Sequence, residues 1–398
     1  MNILIPVSAI QAARKLLTRL RFERLKLPVL THVLATVDAA GLTLAVTDLD
    51  HWLETRIAAT INPDAPGRFL IPAAALAAAV RGDKKSSVRF ETLGTVDEPA
   101  LKLTVTCGGM PVESVYQPVT ASQFPERPVL DGRITPVPKE TLQALQTVAP
   151  CASTDATRYV LNGVLFSPND GGTLIATDGR ALAGAPARFA GRDFILPAAA
   201  VHVLGFPDFT ARDAAILQPE QSDKEADKPH VQFRSGPHTL IAGAIEGNYP
   251  NYRQVIPHEF LAEATIPETH RSAVISWLKT LDGRSPTVRL TWETPGHLTL
   301  THWDAGTAQA TIRVPISVSG EGENQPPVIS FGPRYLAEAL VIGPVLRLID
   351  GISPGLTTGS SGKGAYCVIM PCRLTEVADE KAEKNNSQTA PPAPAMAA

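Results

Sequence analysis

The sequence predicts an α+β protein in which a unit of two helices and a larger number of strands occurs three times. Three observations carry that expectation. A proline-led helix start recurs at Pro6, Pro72, Pro136 to Pro138, Pro197, Pro267 and Pro333. A glycine-led strand arm recurs as Gly41-Leu-Thr-Leu44, Gly172-Thr-Leu-Ile175 and Gly296-His-Leu-Thr-Leu300. Matched stretches lie about 125–130 residues apart, too long for a solenoid repeat and suited to three homologous domains. The expected bounds are 1–130, 131–257 and 258–374, with a disordered tail at 375–398.

The first domain opens on Pro6, after which Ile10, Ala13, Leu17 and Leu20 share one helical face. Gln11, Arg14, Lys15, Thr18 and Arg19 fall on the opposite face. Arg24 and Lys26 follow before Pro28. Strands are expected over Val29–Val37, Leu42–Asp50 and His51–Ile57, and Gly41 separates the first two in hairpin fashion. Pro72 opens the second helix, inside Phe69-Leu-Ile-Pro-Ala-Ala-Ala-Leu-Ala-Ala-Ala-Val80. Ser87–Glu91, Ala100–Thr106 and Val112–Val119 complete the set of strands.

The second domain repeats this plan. Tyr159–Ser167 matches Leu30–Val37 in place, Gly172–Ala183 matches Gly41–Leu53, and Phe194–Leu204 matches Phe69–Val80. The third repeats it more faintly, with helices led by Pro267 and Pro333 and strands at Val345–Ile349 and Ala365–Met370. Gly247-Asn-Tyr-Pro-Asn-Tyr-Arg-Gln-Val-Ile-Pro257 lies between the second and third domains. Pro250 biases Tyr249 to an extended backbone and the asparagines suit turns, so no regular helix is expected there.

Composition narrows the function. The chain has 398 residues, 44% hydrophobic and 19% charged, as a globular protein does. Its net charge is −3, so any nucleic-acid surface must be local. No apolar run is long enough to span a membrane, and the N-terminus lacks a basic region and a cleavage site, so a cytoplasmic location is expected. The four cysteines form no CxxC pair and read as reduced thiols.

Motifs that look catalytic fail on inspection. Gly359-Ser-Ser-Gly-Lys-Gly364 resembles a phosphate loop, but Thr357 replaces the first glycine and Gly364 replaces the magnesium-binding hydroxyl. Asp48 and Asp50 form a close acidic pair, but Asp178 at the matching place has no second acid, which favours turn capping over a metal. The nine histidines are scattered, with no HxxxH. No catalytic residue, metal or cofactor is expected.

Four stretches in order change the reading from bland to specific. They are Lys26-Leu-Pro-Val-Leu-Thr-His-Val-Leu34, Ile175-Ala-Thr-Asp-Gly-Arg-Ala-Leu-Ala183, Gly247–Pro257 and Val368-Ile-Met-Pro-Cys-Arg-Leu374. With the triple repeat, they resemble the bacterial DNA sliding clamps, the β subunits of replicative DNA polymerase. The resemblance covers residues 1–374. It implies clamp domains with two helices packed on antiparallel sheets, and two chains closing head-to-tail into a ring around duplex DNA. It implies no enzymatic activity, a nucleoid-associated location, and partners that dock short linear motifs: the polymerase, the clamp loader and repair proteins.

The same resemblance places two sets of residues. Arg14, Lys15, Arg19, Arg24, Arg81, Lys84, Lys85 and Tyr159 would contact DNA phosphates without reading bases. Leu161, Thr177, Gly179, Arg180, Leu182, Pro250, Val255, Val368, Met370, Pro371, Cys372 and Arg373 would form a peptide groove, where a methionine wall suits varied partners. This chain departs from the family pattern in places. Arg180-Ala181 stands where His-Arg is usual, Gln254 replaces an arginine, and Cys372 replaces a methionine. Alanines follow Pro72 and Pro197 where the family often has basic residues. These changes motivate an alternative, a diverged clamp paralogue acting mainly as a peptide-binding adaptor in replication or repair.

Overall fold

In the computed structural model of the chain, the described residues are 2–39, 41–61, 67–95, 98–219, 230–281, 287–294, 296–304, 308–319, 327–359 and 364–372. The phosphate-loop-like residues 360–363, most of the charged stretch 218–228, Arg373 and the tail lie outside them. The chain divides into two compact units. One comprises residues 1–178 and 184–250, the other residues 179–183 and 251–398.

Seven α-helices are described: α1 Val7–Leu17, α2 Ala73–Ala79, α3 Lys139–Val148, α4 Ala198–Leu204, α5 Pro207–Thr210, α6 Glu268–Thr280 and α7 Pro333–Ile342. Five of them follow a proline by the same local rule. Pro6, Pro72, Pro138, Pro197 and Pro267 sit at the N-cap with φ between −55° and −58° and ψ between 135° and 147°. The prolines therefore stand one residue before the first helical position. Their fixed φ suits both a strand end and a helix start, and the missing N–H leaves no donor to satisfy. For Pro6, Pro72 and Pro197 the proline is the last residue of a strand, so strand passes to helix without a loop.

The first unit holds two full sheets. A five-stranded sheet runs Thr60–Ile61, Asn2–Pro6, Ser87–Gly94, Pro99–Cys107, Met110–Tyr116. An eight-stranded sheet runs Gly132–Val137, Ala214–Pro219, His230–Ser235, His238–Gly243, His51–Ile57, Gly41–Thr47, His32–Asp38, Gly67–Pro72. Its middle joins the first two predicted repeats, with Leu240 opposite Leu53 and Ile241 opposite Trp52. Beside that joint, Arg127 grips the Glu54 carboxylate with two bonds of 3.0 and 3.1 Å. Strand Gly163–Ser167 pairs with Thr173–Thr177 on one side and Phe194–Pro197 on the other. Phe166 stacks on Phe194 with ring centroids 4.6 Å apart and fills the core there with Phe233.

Helix α1 buries Val7, Ile10, Ala13, Leu16 and Leu17, the apolar stripe its sequence predicts. In α2 the buried residues are Ala75, Leu76 and Ala79.

In the second unit the strands Tyr366–Ile369, Gly355–Thr358, Val345–Leu348, Ala262–Thr265 and Ser317–Ser319 are neighbours in that order. A four-stranded sheet runs Ala308–Pro315, His297–Asp304, Val288–Thr294, Ile329–Phe331. Helices α6 and α7 pack together, α6 burying Val274 and Leu278 and α7 burying Leu336, Ala337, Ala339 and Leu340. Helices beside antiparallel sheets give the α+β class the sequence predicts.

Three local readings shift. The strand expected from Val29 begins at His32, after a 3-10 turn over Pro28–Thr31. Likewise Tyr159–Leu161 belongs to a 3-10 segment, and the strand begins at Gly163. Gly132–Val137, which the prolines disguised as a helix approach, is a strand. It is an edge strand, where a residue without N–H is tolerated.

Candidate functional sites

The basic residues predicted to meet nucleic acid lie in the first unit, and the structure distinguishes among them. Arg14 and Lys15 occupy the last turn of α1, where cations oppose the negative end of the helix dipole. Arg14 donates to Glu23 at 2.8 Å, so much of its charge is spent locally. Lys15 is exposed. After α1 the chain makes two 3-10 turns, Thr18–Leu20 and Phe22–Arg24, joined by Arg21 in the left-handed region at φ 54°. Leu20 and Phe22 are buried on either side of Arg21, whose side chain is exposed. Arg19 is half-buried. It donates to the His202 carbonyl at 2.9 Å, and its guanidinium lies 5.8 Å from the Phe206 ring centroid. Arg24 is exposed and makes no ion pair among the described residues.

Arg81, Lys84 and Lys85 are exposed beyond α2. Their loop is fastened by Asp83, whose carboxylate accepts from the Gly108 and Gly109 N–H groups at 3.0 Å each. Those bonds hold the Asp83 carboxyl below the usual range. Tyr159 is 58% exposed, which sets aside a core aromatic. It stands on a 3-10 segment capped by Asp155, which accepts from the Thr157 N–H at 2.9 Å. Gly247 approaches this segment at φ 122°; a Cβ there would lie 3.0 Å from Val160 Cγ2 and 3.4 Å from the Tyr159 hydroxyl.

The residues predicted to hold peptides divide between the units. Leu161, Thr177 and Pro250 belong to the first, and Arg373 lies outside the described residues. The rest belong to the second. There Gly179 takes φ 87°, the conformation a tight turn asks of glycine. The Arg180 carbonyl accepts from the Met370 N–H at 2.8 Å, and the Cys372 N–H donates to Ser330 O at 2.8 Å. The last strand thus runs on past Ile369, tied to the 179–183 turn and then to strand Ile329–Phe331. Met370 and Val255 are exposed apolar residues, whereas Leu182 and Val368 are buried. The Cys372 thiol is pushed up by burial, and the nearby Arg180 charge partly offsets this. Tyr366 is pushed up to about 12, chiefly by burial and further by the Tyr252 hydroxyl, with Arg253 partly opposing.

Several neighbours escaped the sequence reading. Gly355 pairs with Ile369, so Pro354 and Met370 flank the same end of one hairpin. The adjoining turn is held by Asp350, which accepts from the Ile352 and Ser353 N–H groups and leaves Ile352 83% exposed. A turn capped by aspartate in D-x-x-S is a legible sequence signal; the exposure of Ile352 is not. Arg21 and His202 were also passed over, because a left-handed arginine and a histidine in an alanine-rich helix carry no motif. A cavity of about 300 Å³ in the first unit, lined by Phe69, Leu70, Leu93 and Val119 among others, touches none of the predicted residues.

No family model matches the chain. It is similar to the beta sliding clamp of Caulobacter vibrioides, 29% identical over 370 residues that cover 88% of this chain and 94% of that relative. It is similar to the beta sliding clamp of Synechococcus elongatus, 28% identical over 79% of this chain and 82% of that one. Among solved structures it resembles the Caulobacter crescentus beta sliding clamp at 25% identity and a TM-score of 0.77, over 94% of this chain and 99% of that one. A DnaN sliding clamp, DNA polymerase III subunit beta, from Bartonella birtlesii shares the fold with a TM-score of 0.78 at 23% identity, over 94% and 100% of the two chains.

Proposed function

We infer that the chain is a beta sliding clamp, a ring-forming factor that encircles duplex DNA and tethers the replicative polymerase to it. The observation that carries this reading is similarity along nearly the whole chain to proteins of that name. The reading takes residues 1–130, 131–257 and 258–374 as three clamp domains, and two chains as closing head-to-tail. Two open sheet edges support it. Met110–Tyr116 ends the five-stranded sheet of the first unit, with Met110, Val112 and Val115 all exposed. Ala308–Pro315 ends the four-stranded sheet of the second. Long edges with apolar side chains invite pairing by another chain, and a closed ring would satisfy both at once.

In this ring Lys15, Arg24, Arg81, Lys84, Lys85 and Tyr159 contact the duplex through its phosphates. Such contacts carry no sequence information, so the clamp slides. Arg14 and Arg19 contribute field more than direct contact, since both already have partners. The hairpin end around Arg180, Met370 and Cys372, with Val255, Gly179, Leu182, Val368 and Pro371, receives linear motifs of the polymerase, the clamp loader and repair proteins. The protein works in the cytoplasm on the nucleoid, as a tether and without catalysis of its own. Among the described residues no helix is long and apolar enough to cross a membrane.

Retention on DNA tests the reading. A loaded ring should stay on nicked circular DNA and slide off when the circle is linearised. Equal loss from both forms would overturn it and favour the alternative, a peptide-binding adaptor that meets DNA only through its partners.

A further inference from the structure

Helix α4, like α2, is short of basic residues. It reads Ala198-Ala-Ala-Val-His-Val-Leu204, and Ala198 and Ala199 are exposed. His202 is its one ionisable residue, and it too is exposed. The 3-10 segment Thr18–Leu20 packs against this helix, and Arg19 fixes the approach by donating to the His202 carbonyl at 2.9 Å. Two residues on, Arg21 is held outward by the buried Leu20 and Phe22, in a left-handed backbone that a non-glycine residue rarely adopts. Arg21 makes no ion pair among the described residues. Two guanidinium groups and an imidazole are thus gathered at the joint of the first two repeats. Like charges brought together without a counter-ion create a place for an anion.

We propose that Arg21 and His202 together hold one backbone phosphate of the encircled duplex, across the joint between the first and second repeats. This rests on the clamp reading, which supplies the duplex. Arg19 acts as the positioning residue. Its bond to α4 and its cation–π approach to Phe206 fix where the other two stand. The contact replaces, from the neighbouring segment, cations that the alanines of α4 do not provide.

The histidine makes this contact depend on pH. Helix α4 packs against Thr18–Leu20, α3 and the strands Gly163–Ser167, Phe194–Pro197 and His238–Gly243. From α3 the neutral Gln146 amide bonds Val201 O. The charges acting on His202 are those of Arg19 and Arg21, which add to burial in holding its ring below the ordinary histidine range. A phosphate between Arg21 and His202 reverses that balance. The imidazole then takes one proton from solvent as the phosphate docks, and gives it back on release.

Equilibrium binding of the dimer to a short duplex, measured against salt at pH 6.0 and 8.0, tests this. Each phosphate contact adds about 0.9 to the slope of log K against log salt. At fixed salt the wild-type affinity should rise from pH 8.0 to pH 6.0 as His202 takes up its proton, His202→Gln should lose that increment, and Arg21→Ser should flatten the salt slope by about 0.9 at pH 8.0, where the imidazole is neutral. The NMR titration of the His202 ring should move to higher pH when the duplex is added. A pH increment that survives in His202→Gln, or a ring titration blind to the duplex, would overturn the proposal. Retention of wild type on nicked circles is run alongside. If that is absent, the clamp reading itself fails; if it is present while the variants behave as wild type, only the Arg21–His202 contact fails.

Discussion

Thr47–His51 and Thr177–Ala181 occupy the same place in the first two repeats, and their backbones agree closely. The third residue is left-handed in both, Leu49 at φ 83° and Gly179 at φ 87°. In both, the fourth residue offers its carbonyl to an N–H of a strand end, Asp50 to Gly243 and Arg180 to Met370, each at 2.8 Å. The residues at the third and fourth places differ, Leu49 and Asp50 against Gly179 and Arg180. In the first turn Asp48 accepts from the His51 N–H at 2.7 Å and faces the His51 ring, while Thr47 Oγ1 accepts from the Leu49 N–H. Its incoming N–H belongs to a glycine, which offers nothing to grip. The second turn presents Arg180 and receives Met370, an exposed and adaptable apolar side chain. The two turns share a frame, and the proposed peptide site draws on the substituents of the second alone.

That contrast can be attacked from either turn. The largest effect is expected from Gly179→Leu, which makes the second turn like the first. A leucine at φ 87° should cost roughly 1–2 kcal/mol of stability. It should also weaken binding of a clamp-motif peptide by more than tenfold, read by fluorescence polarisation. Next, Met370→Ala should lower peptide affinity by about tenfold, or about 1.4 kcal/mol, while thermal stability moves little. Unchanged affinity would take Met370 out of the groove. The reciprocal change Leu49→Gly should stabilise modestly, by roughly 0.5 kcal/mol, because relief of left-handed strain exceeds the added freedom of the unfolded chain. Calorimetry reads this, and peptide binding should not change.

The smallest effect concerns the strand that leaves the first turn. His238 is buried against it, with Nδ1 2.9 Å from Thr55 Oγ1 and Nε2 3.3 Å from Asp208. Burial lowers its pKa, the more so for Arg212 nearby, and Asp208 only partly compensates. A lowered histidine pKa means that the unfolded chain binds the proton more readily. Stability from this site is therefore complete above about pH 6.5 and falls as the pH drops below that value. His238→Asn should flatten this part of a stability profile measured by denaturant titration; an unaltered profile would remove His238 as its source.

Much of this architecture was legible in the chain. Strand–proline–helix junctions announce themselves because proline suits both sides of the boundary, and the Thr47-Asp48 turn because its side chains cap its own backbone. Gly132–Val137 was hidden because its prolines are tolerable only at a sheet edge, and edge position is a tertiary property. Charge was readable but engagement was not. Arg14 and Lys15 look alike in sequence, yet one is paired with Glu23 and the other is exposed. Arg19 reads as a solvent cation and proves to be bonded 183 residues away. Whether a cation faces solvent or a partner depends on which distant backbone arrives beside it.

The ladder between His51–Thr55 and His238–Ala242 has a mechanical consequence. It joins two repeats through five successive residue pairs, reinforced by the Arg127 fork on Glu54. Sliding one repeat past the other would break these bonds together rather than one after another. If a collar must spring apart to admit a chromosome with no ends, its seam is the wrong place to look within residues 1–178 and 184–250.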